Sequence, residues 1–216
     1  MRGLYNAMLT SGRNHDCENL QALSPVWLSN LLSGDCRDLI SSVPDNSVRL
    51  MLTDPPYSKD FNWCFEWMHR EAARVLVDGG SLIYLLGHSQ LEAAMKADYH
   101  GLRYWWLGTL LNNRANRIFG KNVIVRHKPW LWFLKGKRAN TSKVPFDCIS
   151  ADRGEWKEQK KKFAWAQPRA FAENAILYLT EEEDIVLDPF AGTGTFIEVA
   201  HNNNRKGIGY DIAFNT

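Results

Sequence analysis

The chain has 216 residues, 45% of them hydrophobic, and a formal net charge of +2. That length suits one α/β domain with a small insertion, and so small a charge excludes a global field, so an anionic partner has to be met by a local basic patch. The four cysteines, Cys17, Cys36, Cys64 and Cys148, form no C-x-x-C pair. This speaks against a zinc site and a disulfide framework, and no metal is expected. The N-terminal stretch "MRGLYNAMLTSGRNHD" is too polar for a secretion signal, and no apolar run is long enough to span a membrane. The expectation is a cytoplasmic protein.

In chain order, residues 1–25 read as an arm and 26–216 as the main domain. "VWLSNLLSGD" (26–35) predicts a first strand. "CRDLISSVP" is a short helical turn with Leu39, Ile40 and Val43 inward, followed by the turn "PDNS". "VRLMLTD" is the next strand. Residues 63–77 carry apolar side chains at helical spacing, and Asp78-Gly79-Gly80 should end that helix. A buried strand over 81–87 and a helix over 89–100 follow. Residues 104–113 and 128–136 read as antiparallel partners, with Trp105 and Trp106 in the core. His69, His88 and His127 read as structural. After a polar, basic stretch to about residue 165 come a helix (168–180), a strand (184–190), a helix (195–204) and a last strand (206–212). Strands alternating with helices imply a mostly parallel sheet covered on both faces, with ligands beyond the carboxyl ends of the strands. Asp35, Asp54, Asp188 and Asp211 all stand at or near such ends.

Two of those ends carry chemistry. In "RLMLTDPPYSKD" an apolar strand stops at Asp54-Pro55-Pro56-Tyr57. Two prolines end sheet pairing and make a rigid corner. The corner gathers a carboxylate (Asp54), a carbonyl (Pro55) and an aromatic face (Tyr57), groups that clamp a flat molecule bearing an NH2 group. In "VLDPFAGTGTF", Gly192 and Gly194 let a ligand approach the backbone between a strand and a helix. The third glycine of the dinucleotide fingerprint is replaced by Ile197, and no Walker lysine follows, which disfavours NAD, FAD and nucleoside triphosphates. Asp211, 19 positions after Gly192, is placed to accept from ribose hydroxyls. An adenosine-containing ligand without a pyrophosphate fits, and S-adenosylmethionine is of that kind.

Asp54-Pro55-Pro56-Tyr57 together with "DPFAGTGT" at 188–195 resembles the amino-group DNA methyltransferases, with the catalytic motif first, as in their permuted β-class order. The resemblance runs from about residue 26 to 212. It implies a Rossmann-like S-adenosylmethionine-dependent methyltransferase fold, circularly permuted, mostly parallel with an antiparallel hairpin. It also implies cofactor contacts from Asp35 (to the adenine), Asp188, Phe190, Gly192, Gly194, Thr195, Asp211 and Gln167. "RHKPWLWFLKG" (126–136) resembles the family's late hairpin motif. Family members often carry a lysine between the glutamine and the proline of the motif before the glycine loop; here Gln167 abuts Pro168 and Arg169 follows.

The activity implied is methyl transfer to the N6 amine of an adenine flipped out of double-stranded DNA. Cytosine N4 methylation uses the same clamp, though a serine more often leads the motif there. The same chemistry on RNA or on a protein amide (for which Asn-Pro-Pro-Tyr is the usual form, against Asp54 here) and a non-catalytic DNA-binding module are further alternatives, and a nicotinamide oxidoreductase would need the glycine that Ile197 replaces. There is no Pro-Cys nucleophile for cytosine C5. Arg114, Arg117, Lys121, Arg126 and Lys128 are the candidate phosphate contacts, within a basic recognition insertion around 112–165 that also holds Lys157, Lys160, Lys161 and Lys162. Asn112, Asn113 and Asn116 are candidates for reading adenine edges. A monomer or homodimer in a bacterial or phage-infected cell is expected, with a role in restriction–modification or DNA marking.

Overall fold

The computed structural model describes residues 30–138, 141–150 and 168–212, without the side chains of 112–114 and 119. The arm over 1–25, residues 26–29 of the first expected strand, Gln167, the lysines of 157–162 and the side chains of Asn112, Asn113 and Arg114 lie outside what is described. The centre of the molecule is β2 (Val48–Thr53), in which Val48, Leu50, Met51, Leu52 and Thr53 are all fully buried. A continuous apolar strand of this kind belongs inside a parallel sheet covered on both faces. β2 lies between β3 (Leu76–Leu85) and β7 (Ile185–Asp188), parallel to both.

The other strands are β1 (Leu31–Ser33), β4 (Arg103–Ile118), β5 (Val123–Leu134), β6 (Cys148–Ser150) and β8 (Lys206–Asp211). They form one eight-stranded sheet in the order β1-β8-β7-β2-β3-β5-β4-β6. Only β5 runs against its neighbours β3 and β4; the other pairings are parallel. The expected antiparallel hairpin is therefore present, in a sheet that is otherwise parallel.

Alternation along the strands divides the core in two. Met51, Leu82, Tyr84, Leu131 and Phe133 pack towards α1 (Cys36–Leu39), α2 (Trp63–Val75) and α3 (Leu91–Lys96). Leu50, Leu52, Ile83, Leu85, Trp130 and Trp132 pack towards α4 (Arg169–Leu179) and α5 (Thr195–Asn202) through Phe171, Ile176, Phe196 and Val199. Each such fully buried large side chain stabilises the fold by about 1.5–3 kcal/mol.

Two local expectations fail for identifiable reasons, and one strand was not expected. Asp78-Gly79-Gly80 does not end the helix. α2 stops at Val75 and β3 begins at once, its register shifting so that Val48 pairs Leu76 while Leu50 pairs Ser81. The glycines sit in that bulge, Gly79 with φ +74°, and a Cβ on Gly80 would lie 2.8 Å from the Val77 carbonyl oxygen. Trp105 and Trp106 are not core: they are 38% and 50% exposed, near the outer edge of the sheet, where only the short β6 lies beyond β4. β6 itself gave no apolar signal, because backbone pairing of Thr109 with Cys148 rather than side-chain burial defines it.

His69 is a core histidine, as expected. It bridges the Tyr84 hydroxyl (3.0 Å) and the Asp98 carbonyl (2.9 Å), packed against Phe133 and Tyr99. Burial pushes its imidazole down from 6.5 to about 4. The neutral form is thus favoured by folding; its stabilising contribution is full above pH 6.5 and is lost as pH falls through 4. Urea unfolding should show stability declining across that window by up to about 3 kcal/mol from this group, and His69→Gln should flatten the decline.

Candidate active site

β2 ends at Thr53, and the chain turns out of the sheet through Asp54-Pro55-Pro56-Tyr57. Pro55 is buried and Tyr57 is 42% exposed. Two contacts hold the corner. Gln90, fully buried, donates from Nε2 to the Pro56 carbonyl (3.1 Å) while its Oε1 accepts from the Gly87 N–H (3.2 Å). The Tyr57 hydroxyl donates to Asp54 Oδ1. Lys128 reaches in from β5, its Nζ 2.9 Å from both carboxylate oxygens of Asp54 and 4.3 Å from the Tyr57 ring centroid. The Lys128 and Asp54 side chains are only 17% and 10% exposed.

Beside this corner, β7 delivers the glycine loop. Asp188 is 2% exposed and accepts on Oδ1 from the Thr53 hydroxyl (2.6 Å) and the Phe190 N–H (3.1 Å). Burial, with the charges of Asp54 and Asp211 adding to it, raises its carboxyl to about 7 against the lowering pull of those two hydrogen bonds. Phe190 packs edge-on against Trp67. The Ala191 N–H donates to the Tyr210 carbonyl and the Gly192 N–H to Asp211 Oδ2, at 2.8 and 3.0 Å. Gly192 and Gly194 have φ of +52° and +78°, and a Cβ on Gly192 would meet nothing within 4 Å. The loop is therefore shaped for glycine and faces open space.

Ile197 is accommodated from the opposite side. A Cβ on Gly207 or Gly209 of β8 would lie 2.7 or 2.9 Å from its side chain. The close helix–strand approach that the missing third glycine supplies in dinucleotide folds is made here by glycines on the strand. At the far end of the row, Asp35 caps α1, accepting from the Arg37 N–H (2.9 Å) and pairing with its guanidinium, which holds the carboxyl below its ordinary range. The Gly34 N–H donates to the Asp211 carbonyl. Asp35, Asp211, Asp188 and Asp54 thus stand at or just past the ends of four consecutive strands, β1-β8-β7-β2, at one edge of the sheet. Thr195 is buried at the start of α5, its hydroxyl 3.1 Å from that of Thr193. Arg169 pairs with Glu198, joining α4 to α5.

The candidate nucleic-acid residues separate. β3 ends opposite Trp130, whereas β4 and β5 stay paired out to Ile118 and Val123, so the hairpin projects past the edge that carries the corner. Arg117, Lys121 and Arg126 are exposed on that projection, Arg117 bonded to Asn122 at 2.6 Å. Lys128 is instead in the corner. Neither its engagement with Asp54 nor the support from Gln90 had a local sequence signal: both depend on strand pairing across the sheet. Among the described residues, no group of three or more His, Cys, Asp or Glu is arranged to hold a metal ion, and no helix is long and apolar enough to cross a membrane.

Residues 48–215 match the profile of the DNA methylases that modify N6 or N4 amines. The chain belongs to this DNA methylase family. It is 25% identical over 86% of its length to the type II methyltransferase M.HinfI of Haemophilus influenzae, and spans 65% of that protein. The solved complex of M1.HpyAVI with S-adenosylmethionine superposes with a TM-score of 0.68 at 20% identity, over 84% of this chain and 92% of the other. PvuII DNA methyltransferase, described as cytosine-N4-specific, gives 0.69 at 19% identity, over 84% and 81%. The methyltransferase architecture expected from the motifs is thus the observed one, with the strand that leads to Asp54 preceding in the chain the strand that leads to the glycine loop, yet paired beside it.

The Thr53–Asp188 bond joins the family's two motif strands. Thr53→Val should remove about 1–3 kcal/mol by leaving a buried acceptor without its donor. Asp188 is raised from 3.8 to about 7, so its own contribution is full below pH 3.8 and lost as pH rises through 7. Removing a hydroxyl that favours its ionised form should make the loss larger at pH 8 than at pH 5, as read from urea midpoints.

Proposed function

We propose that this chain transfers a methyl group from S-adenosylmethionine to the N6 amine of adenine in DNA. The observation that supports the reading is the state of the corner: the Lys128 ammonium donates to both Asp54 oxygens and lies over the Tyr57 ring, the contacts a substrate amine and its base would make there. When bound, S-adenosylmethionine supplies an electrophilic methyl on a sulfonium. The open face of Gly192 and the acids Asp35 and Asp211 are the residues that would hold its adenosine.

The protein's own task is to make a poor nucleophile competent. An exocyclic amine has its lone pair delocalised into the ring. Accepting its N–H bonds at the Asp54 carboxylate and the Pro55 carbonyl favours a more tetrahedral nitrogen. These acceptors act most strongly as positive charge develops there, and the two prolines keep them from having to reorder. Tyr57 stacks on the base, a contact of about 1–3 kcal/mol. The projecting hairpin, with Arg117, Lys121 and Arg126, tracks phosphates beside the corner.

An acid rather than a serine at the head of the motif favours adenine. Cytosine N4 shares the clamp and is the second reading. The test is incubation with S-adenosylmethionine and unmethylated DNA, followed by mass spectrometry of the nucleosides. N6-methyladenine is expected, reduced at least about 100-fold in Asp54→Ala, with a melting curve to show that the variant is folded. N4-methylcytosine would move the base assignment, and no methylated base would overturn the proposal. Tyr57→Ala should raise KM for DNA about 5–100-fold, and Tyr57→Phe far less.

A further inference from the structure

Lys128 makes the contacts proposed for the substrate amine. Its ammonium lies 2.9 Å from both oxygens of Asp54 and 4.3 Å from the centroid of Tyr57, the ring on which the base would stack. An ammonium has three N–H donors and a full charge, whereas an aminopurine offers two N–H donors and none. Charge-assisted bonds are roughly twice as strong as neutral ones. A base amine therefore competes with Lys128 for the same two oxygens, and competes from the weaker side.

The lysine is held there from both sides along the chain. The Leu86 N–H donates to the Pro129 carbonyl (3.1 Å), and His88 Nε2 donates to the His127 carbonyl (2.9 Å). The same segment carries Gln90, which fixes the Pro56 carbonyl. One short stretch, 86–90, thus contacts both the Pro56 end of the corner and the backbone on either side of Lys128. With so little exposure on either partner, a carboxylate left alone in the corner would bear a desolvation cost, and the lysine offsets it. The four-carbon stem lets the ammonium withdraw without moving β5.

We propose that Lys128 is an internal competitor for the substrate amine and thereby a specificity-determining residue: it excludes free nucleosides and yields only to a base delivered by bound DNA. This rests on the function proposed above. A clamp that is competent for only a fraction of the time weakens every ligand by that fraction. A free nucleoside has nothing to offset this. A base tethered to a duplex already bound along the hairpin does, because its effective concentration at the corner is high.

The test compares binding of 2′-deoxyadenosine to wild type and Lys128→Met by ligand-observed NMR, with S-adenosylhomocysteine present to prevent turnover. The variant keeps the stem and loses the ammonium. It should bind roughly tenfold more tightly, the factor expected if Lys128 fills the clamp nine-tenths of the time. Equal or weaker binding by the variant, in a protein whose wild type methylates DNA, would overturn the inference and leave the function standing. A wild type that methylates no DNA base would overturn the function, and the inference with it. If Lys128→Met loses its near-ultraviolet circular dichroism, Lys128→Gln takes its place under the same criteria.

Discussion

The site depends on β2 being threaded, parallel, between β3 and β7. Parallel neighbours end at the same edge, so the residues after their last paired positions are brought together however far apart they lie in sequence. Here that edge gathers Asp54 and Asp188, and the Thr53 hydroxyl closes the join with a buried 2.6 Å bond to Asp188. Asp188 in turn holds the Phe190 N–H at the mouth of the glycine loop. The clamp and the loop are therefore parts of one hydrogen-bonded unit. A methyl transfer needs its two reactants held in a fixed mutual geometry, and effective molarity is lost quickly when either side is loose.

Much of this was legible along the chain. The apolar run of β2, broken by an acid and two prolines, announces a strand ending in a rigid corner, and the corner is where it should be. The Gly192–Gly194 turn is equally plain, because only glycine sits comfortably at the positive φ both residues adopt. Signals of this kind are local: a few adjacent residues carry the whole physical reason. Strand pairing is not local. That Gln90 reaches Pro56, that Gly207 and Gly209 leave room for Ile197, and that Lys128 enters the corner all follow from which strands lie side by side. The same limit explains Trp105 and Trp106. Their pattern is that of a buried strand, but β4 lies near the edge of the sheet.

Ile197 shows how a motif can lose a residue and keep its geometry. In a dinucleotide fold the helix supplies the glycine and the strand supplies the bulk. In this chain the helix supplies the bulk and β8 supplies two glycines. α5 packs closely on β8, and Asp211 accepts from the Gly192 N–H of the loop between them. The position of the glycine therefore says less about the ligand than the shape of the loop does, and absence of the full fingerprint does not by itself move the loop away from adenosine.

Charge ties the two halves of the site together a second time. Three carboxylates, Asp54, Asp188 and Asp211, lie close enough for the charges of Asp54 and Asp211 to help hold Asp188 up near 7. Burial alone makes ionisation of Asp188 costly, and two negative neighbours make it costlier. The Lys128 ammonium is bonded to both oxygens of Asp54. A protonated Asp188 still accepts from the Phe190 N–H, but no longer as a charged group. One buried carboxyl thus joins the two halves of the site, through its hydrogen bonds from Thr53 and Phe190 and through the charges of Asp54 and Asp211 near it.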